Sequence, residues 1–407
     1  MLSLYFHIPF CAQVCSYCSF SIVANQPPAL FQTYLAKLHE EIDYYGKLYP
    51  KAEIKSMYFG GGTPNLVGAE ELKKLIDHCE EVFDCETVAE LSFEANPYPQ
   101  AEVLSFVRSL NTWYRKRPRV RFSFGLQSFD NAVLATAGRP CSFPGMVDFL
   151  RSLQLLKQEN NVFNFDFIAF GKWNQTKKGE KQLWTPSAFS FFEDFVHSHF
   201  ADSFSLYTLE FSEHQRWNRM EKSDLISQGC FGTEEEIYEE FDILKSVFLE
   251  AGYARYEISN FSLIAKSSIH NRVYWEMEKY VGLGLGASSL ALFPLGATPL
   301  SDEEALWRYT NTPYLPKYLA GQTIEKSSLQ QLTKEDELIE TFFLGLRTDR
   351  GVHQLSAFFE VLVDGWKEKV KLYEEKGLLR MRDEGLVLTD RGMDCYNWII
   401  TELLKKI

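Results

Sequence analysis

The sequence of 407 residues contains no apolar run of the ~18 residues that a membrane-spanning helix needs, so no span is expected. Positive charge is scarce: 42 Lys and Arg face 55 Asp and Glu, for a net charge of −13. That balance argues against a general nucleic-acid surface, because phosphate contacts require clustered cations. The local run Arg115-Lys116-Arg117-Pro118-Arg119 reads as a solvated loop before a strand. The eight cysteines do not form a disulfide framework, which points to a reducing, cytoplasmic setting. Residues 1–10 lack the basic segment and long apolar core of a signal peptide. Also missing are a Walker A lysine, a G-x-G-x-x-G turn, and any second C-x2-C or H-x3-H pair that would complete a zinc site. There is no internal repeat and no low-complexity tract.

Among what is present, the most informative feature lies near the start of the chain. Cys11, Cys15 and Cys18 are spaced C-x3-C-x2-C, directly after the apolar run Leu4-Tyr5-Phe6-His7-Ile8-Pro9-Phe10. Three thiolates can hold three irons of a cubane iron–sulfur cluster and leave the fourth iron open to a second molecule. A four-cysteine cluster is closed and normally only passes electrons. Zinc and simple burial are the competing uses of such residues. The absent second ligand pair weakens the first, and the crowding of three cysteines around Ser16, Tyr17 and Ser19 weakens the second.

Length and an ordinary composition suit one barrel-sized domain plus a smaller one. Strand patterns at Leu2–Phe6, Ile54–Phe59, Ala89–Glu94, Val120–Leu126, Val162–Phe170 and Phe204–Leu209 alternate with helical ones. The helical patterns lie at Leu30–Tyr45, Ala69–Val82, Gln100–Leu110, Pro144–Gln158 and Pro186–His197. Such alternation predicts a parallel sheet with right-handed crossovers, closing as a partial (β/α)6 barrel of the TIM type. Thr233 and Glu236 form a capping box before the apolar face Ile237, Phe241, Leu244 and Phe248, and Gly252 ends that helix. From about residue 335 the order becomes helix, hairpin, helix. A helix ends at Gly377, strands follow at Leu378–Met381 and Leu386–Leu388, and Thr389 caps the last helix. Residues 361–407 of this winged-helix-like α+β module carry nine acidic and nine basic residues, so a docking role is expected rather than DNA binding. The expected division is a core at 1–230, a barrel-completing region at 231–334 and the C-terminal module at 335–407.

Polar residues stand where apolar strands have no need of them. Gly60-Gly61-Gly62-Thr63-Pro64 follows the second strand, and its glycines permit positive φ and close backbone approach. Amides freed there can hold a carboxylate, although a glycine-rich turn is as often structural. Glu94, Gln127, Gly138-Arg139 and Asp166 follow at or near successive strand ends, the end of an α/β barrel that carries the active site. In the second half, His270-Asn271-Arg272-Val273-Tyr274-Trp275 combines a metal-ligand type with aromatics that suit a macrocycle. A lone histidine is more often structural.

Together these residues resemble the radical S-adenosylmethionine (SAM) superfamily. More narrowly, they are similar to the branch holding oxygen-independent coproporphyrinogen III oxidases and HemW-type heme chaperones. The resemblance covers nearly the whole chain, from Tyr5–Cys11 and the cysteine loop through Gly60–Pro64, Glu94–Pro97, Gly125–Asp130, Gly138-Arg139, Ser205–Tyr207, Tyr256–Phe261 and His270–Trp275. It implies a 4Fe-4S cluster on Cys11, Cys15 and Cys18, with SAM on the open iron, cleaved to a 5′-deoxyadenosyl radical when the cluster is reduced. It further implies a SAM site lined by Tyr5, Tyr17, Gly61, Gly62, Thr63, Glu94, Gln127, Arg139 and Asp166. His270, Asn271, Tyr274 and Trp275 correspond to a segment implicated in heme binding.

The oxidases resemble C-x3-C-x2-C-x-C and carry a long N-terminal arm. Here Phe20 occupies the fourth cysteine position and only ten residues precede Cys11. Both features favour the chaperone branch, with heme as cargo, hemoproteins such as respiratory enzymes as clients, and a homodimer as one arrangement. The alternative is oxidative decarboxylation of coproporphyrinogen III propionates to vinyl groups. Three departures from the family stand out. Gly171-Lys172-Trp173-Asn174-Gln175-Thr176 replaces Gly-Leu-Pro-Gly-Gln-Thr, Cys141 replaces a histidine, and Ala137 replaces a leucine. They predict either neutral drift or a reshaped pocket.

Overall fold

The computed structural model describes residues 1–115, 118–175, 181–210, 221–292 and 305–405. Lys116 and Arg117 of the basic run, and Thr176 of the departing segment, lie outside them. Parallel strands β1 Leu2–Ile8, β2 Ile54–Gly61, β3 Glu90–Ala95, β4 Arg119–Gln127, β5 Asn161–Ala169 and β6 Ser203–Thr208 lie side by side in sequence order. Each is followed by a helix: α1 Pro28–Leu48, α2 Ala69–Val82, α3 Gln100–Trp113, α4 Phe143–Gln154, α5 Pro186–His197 and α6 Glu234–Glu250. These are the predicted βα units.

Beyond β6 the sheet adds β7 Ala254–Glu257 and β8 Asn260–Ser262, both antiparallel. On the far side of β1 it adds the parallel β9 Tyr280–Leu283, then β10 Ser288–Ala291, β11 Trp307–Thr310 and β12 Gln330–Gln331. Among the described residues the two edges, β7 and β12, do not pair with each other.

Strand register decides which residues face inward. Phe6 pairs with Phe59, Phe59 with Phe93, Phe93 with Phe122 and Phe122 with Phe163. One step on, Phe124 pairs with Phe165 and Phe165 with Phe204. Neighbouring rings stack, at 4.6 Å for Phe6–Phe59 and 5.1 Å for Phe59–Phe93. The belt faces the helices: Phe93 meets Phe106 of α3, Phe124 meets Phe149 of α4, and Phe165 meets Phe195 of α5. Because strand side chains alternate, the residues between the phenylalanines share the opposite, inner face. Those residues are Tyr5, Tyr58, Glu94, Arg121, Ser123, Asp166 and Ser205.

Element ends depart from the sequence reading by a few residues, for local reasons. Helix α1 starts at Pro28, an imino acid suited to the first turn. Helix α4 stops at Gln154 because Asn161 folds back and its Oδ1 accepts the Gln158 amide at 2.9 Å. The capping box at Thr233 and Glu236 is present. Gly252 follows the helix with φ +87°, the conformation that favours glycine.

The C-terminal part comprises α8 Lys334–Gly345, α9 Trp366–Glu375, the hairpin β13 Leu379–Arg382 with β14 Gly385–Leu388, α10 Asp390–Asp394 and α11 Tyr396–Leu403. Thr389 caps α10 rather than the final helix, which restarts after Cys395. This part has its own apolar core around Phe342, Leu379, Ile399 and Leu403. It meets the barrel through ion pairs. Arg255 reaches Asp390 at 3.0 Å and Asp394 at 2.7 Å, and Lys245 reaches Asp394 at 2.7 Å.

Glu90 fixes α7, Ile269–Trp275, against the sheet. Its carboxylate accepts from the Ile269 amide at 3.1 Å, the His270 amide at 3.0 Å and the Ser268 hydroxyl at 3.2 Å, and it pairs with Arg119. Burial alone would raise its pKa, but Arg119, Arg121 and the amide donors bring it below the usual value. Replacing Glu90 with Gln is expected to cost about 3 kcal/mol in denaturant unfolding, since it leaves Arg119 without its counter-charge. A loss below about 1 kcal/mol would show that the pair does not anchor α7.

Candidate functional site

A cavity of about 450 Å³ opens at the C-terminal ends of the parallel strands. Cys11, Cys15 and Cys18 line one wall, and all three are free thiols. Their loop is pinned from several sides. The Ser16 amide donates to Ala137 O at 3.0 Å, Asn25 to Cys11 O at 3.1 Å, and the Gln13 side chain to Gly138 O. Gly138 has φ +71° and sits against Ser16, so the Gly138-Arg139 pair holds the loop as well as facing the cavity.

Burial pushes the Cys11 thiol up to about 11, with Thr63 opposing and Cys18 and Cys15 adding to the rise. Burial likewise raises Cys18. A metal group on these sulfurs would take them as thiolates, its positive charge driving their deprotonation on binding. Among the described residues no three Cys, His, Asp or Glu side chains meet closely enough to chelate one ion.

Of the residues expected around SAM, Tyr17, Gly61, Gly62, Thr63, Glu94, Gln127, Arg139 and Asp166 all line this cavity. Tyr5 stands behind it: its hydroxyl bonds His7 Nδ1 at 3.1 Å, and His7 Nε2 reaches Ser21 O at 2.9 Å. The glycine turn differs from expectation. Its amides are already engaged, Gly61 with Glu94 Oε2 at 2.9 Å, Gly62 with Ile8 O at 2.9 Å and Thr63 with Phe10 O at 2.8 Å. The glycines therefore supply close approach rather than free donors. A Cβ on Gly62 would lie 2.7 Å from Ile8 O.

Glu94 also accepts from Tyr58 at 2.7 Å, and burial raises its pKa despite these donors. Asp166 accepts from Ser123 at 3.1 Å and Asn164 at 2.7 Å, and burial raises it too. Arg139 bonds Asn96 at 3.0 Å, Gly125 O, and Cys15 Sγ at 3.7 Å. Gln127 takes a positive φ of 70° at a register shift between β4 and β5, which turns it into the cavity. Phe20, 63 % exposed, and Ile22 give the rim an apolar side.

The His270–Trp275 segment is split. Asn271 lines the cavity, while His270, Tyr274 and Trp275 do not. His270 is fully buried, with Nδ1 on Ser56 Oγ and Nε2 on Tyr274 OH, both at 2.8 Å. Trp275 Nε1 donates to Glu257 at 2.7 Å.

The departures from the family lie off the cavity. Trp173–Gln175 pairs with Lys181–Leu183 in a small outer hairpin, Lys172 reaches Thr136 at 2.9 Å, and Asn174 reaches Asp130 at 3.0 Å. Cys141 lines a separate pocket with Pro97, Tyr98 and Met146, and Ala137 is buried. Tyr58, Arg121 and Ser123 line the main cavity and were not picked out from sequence. The alternation Val120-Arg121-Phe122-Ser123-Phe124 carries the signal, since it places Arg121 and Ser123 on the face opposite the phenylalanines.

A parallel half-barrel whose first loop presents three cysteines to an axial cavity is the arrangement found in one superfamily of matches. The Radical SAM superfamily matches residues 5–172, and the HemN C-terminal domain matches residues 332–395. A protein named heme chaperone HemW from Lactococcus lactis is 27% identical over 99% of this chain and 97% of its own length. One of the same name from Bacillus subtilis is 28% identical, covering 96% of each chain. The cattle protein named radical S-adenosyl methionine domain-containing protein 1, mitochondrial, is 25% identical over 100% of this chain and 88% of its own. Among solved structures, coproporphyrinogen III oxidase (HemN) from Escherichia coli superposes with a TM-score of 0.74. It is 18% identical and covers 100% of this chain and 90% of that one, a likeness of fold.

Residues 5–172 belong to the radical SAM superfamily and residues 332–395 match the HemN C-terminal domain, and over nearly its full length the chain is similar to the HemW relatives. Membership implies a 4Fe-4S cluster and SAM. Among the described residues no helix is long and apolar enough to cross a membrane.

Burial lowers the His270 pKa from 6.5 to about 3, with Glu90 opposing and Arg121 adding to the fall. A folded value below the unfolded one means the neutral ring stabilises the fold fully above pH 6.5, and that contribution is lost as pH drops toward 3. Replacing His270 with Leu should cost about 2 kcal/mol near neutral pH by orphaning Tyr274 OH. The gap to wild type should then narrow as the pH falls. A constant gap in unfolding experiments across that range would rule out the buried neutral ring.

Proposed function

We propose that this protein is a cytoplasmic heme chaperone that binds heme and passes it to hemoproteins such as respiratory enzymes. The observation carrying this reading is the near full-length similarity to proteins named heme chaperone HemW, in a chain with Phe20 at the place of a fourth motif cysteine. In it, Cys11, Cys15 and Cys18 hold the cluster, and the intermediate exposure of all three leaves them reachable from the cavity. When bound, the cluster with SAM supplies one-electron chemistry or a fixed structural element beside the cargo.

Arg139 would pair with the carboxylate of SAM, while Glu94 and Asp166 would meet its amine and ribose hydroxyls. Thr63, whose hydroxyl lies 3.4 Å from Cys11 Sγ, spans cluster and cofactor. Tyr17 and Gln127 close the sides, Gly61 and Gly62 allow close approach, and Tyr5 braces the loop from behind. Asn271 carries the heme contact of its segment. To reach an iron, His270 would have to leave Ser56 and Tyr274, with Tyr274 and Trp275 moving aside. The division at about residues 230 and 334 separates the cluster-bearing half, the segment holding Asn271 and the C-terminal docking module. A homodimer is one way for two copies to hand over cargo.

The test is anaerobic incubation of reconstituted protein with coproporphyrinogen III, SAM and reductant, with heme titrated in parallel. Stable heme binding without protoporphyrinogen formation is expected; formation of that product would make the protein an oxidase. Replacing Cys11, Cys15 and Cys18 with Ala should abolish the brown colour and the bound iron and sulfide, whereas stoichiometric iron in that variant would exclude the cluster assignment.

A further inference from the structure

Beside the SAM positions the cavity has a polar end lined by Arg121, Ser205, Tyr207, Ser259, Asn260 and Asn271. Arg121 projects from the middle of β4 onto the inner face and is 2 % exposed. Neither its Nε nor its Nη1 has a hydrogen-bond partner. Guanidinium groups are never neutral in proteins, so this is a permanent buried charge with unused donors.

The carboxylates around Arg121 are each held by other groups. Glu90 is taken by Arg119 and the α7 amides, Glu94 by Tyr58 and Gly61, and Asp166 by Ser123 and Asn164; Glu257 Oε2 is taken by Trp275 and by Asn260 at 3.2 Å, while its Oε1 has no hydrogen-bond partner. Burial raises the pKa of Glu94, Asp166 and Glu257. An apolar group there would leave the Arg121 donors unmet. A carboxylate matches a guanidinium in both charge and geometry.

We propose that this polar end is a second ligand position in which Arg121 takes a carboxylate of the cargo, and, resting on the heme reading above, a propionate of the tetrapyrrole. The assignment separates two cations in one cavity. Arg139, beside Cys15, serves the cofactor, and Arg121 serves the cargo.

The experiment compares wild type with Arg121→Met, using hemin and hemin dimethyl ester as probes in absorbance titrations, with SAM binding measured in parallel. Wild type should bind hemin roughly 10-fold or more tightly than the ester, the size of one charge-assisted contact. Arg121→Met should bring hemin down to the ester's affinity and leave the ester unchanged. Arg121→Lys keeps the cation without the planar donors, should fall between the two, and guards against loss of fold in the first variant.

Equal binding of hemin and ester by wild type overturns the proposal. So does a variant that binds hemin as wild type does, one that weakens both probes alike, or one that loses SAM while keeping hemin. Wild type that binds neither probe overturns the chaperone reading itself, and the propionate assignment with it.

Discussion

The register of the six parallel strands is the constraint on which the rest depends. Phenylalanine is paired with phenylalanine across most of the strand contacts from β1 to β6. A slip of one residue in any strand would turn its phenylalanines inward and its polar residues toward the helices. Burying an aromatic side chain is worth a few kcal/mol, so each strand opposes such a slip strongly. The aromatic belt thus fixes the inner face without touching any functional group.

That inner face is costly, because buried polar groups must find partners. Most do. Glu94, Asp166 and Glu90 are each satisfied by donors from neighbouring strands or from α7. Satisfied groups of this kind stiffen the site before any ligand arrives. The Arg121 Nε and Nη1 groups break the pattern, and an unmet donor inside a cavity is where a ligand gains most by binding.

The segment behind the cavity works mainly by position. Glu90 holds the start of α7, His270 is locked between Ser56 and Tyr274, and Trp275 is tied to Glu257. Arg347 from the C-terminal part lies over Trp275 at 4.8 Å. Through this chain of contacts the cavity wall and the docking module share one scaffold.

The sequence by itself determined the βα alternation, the cysteine loop and the polar strand ends at Glu94, Gln127 and Asp166, because each depends on local periodicity or on spacing within a short segment. The helix–hairpin–helix order at the C-terminus was legible for the same reason. Tertiary structure alone decided which groups remain free. The glycine-turn amides are consumed by Ile8, Phe10 and Glu94, His270 is buried between Ser56 and Tyr274, and Arg121 is left without partners for its Nε and Nη1. Those outcomes depend on residues distant in the chain meeting across strands, and hydrogen-bond satisfaction is a property of such meetings rather than of any segment.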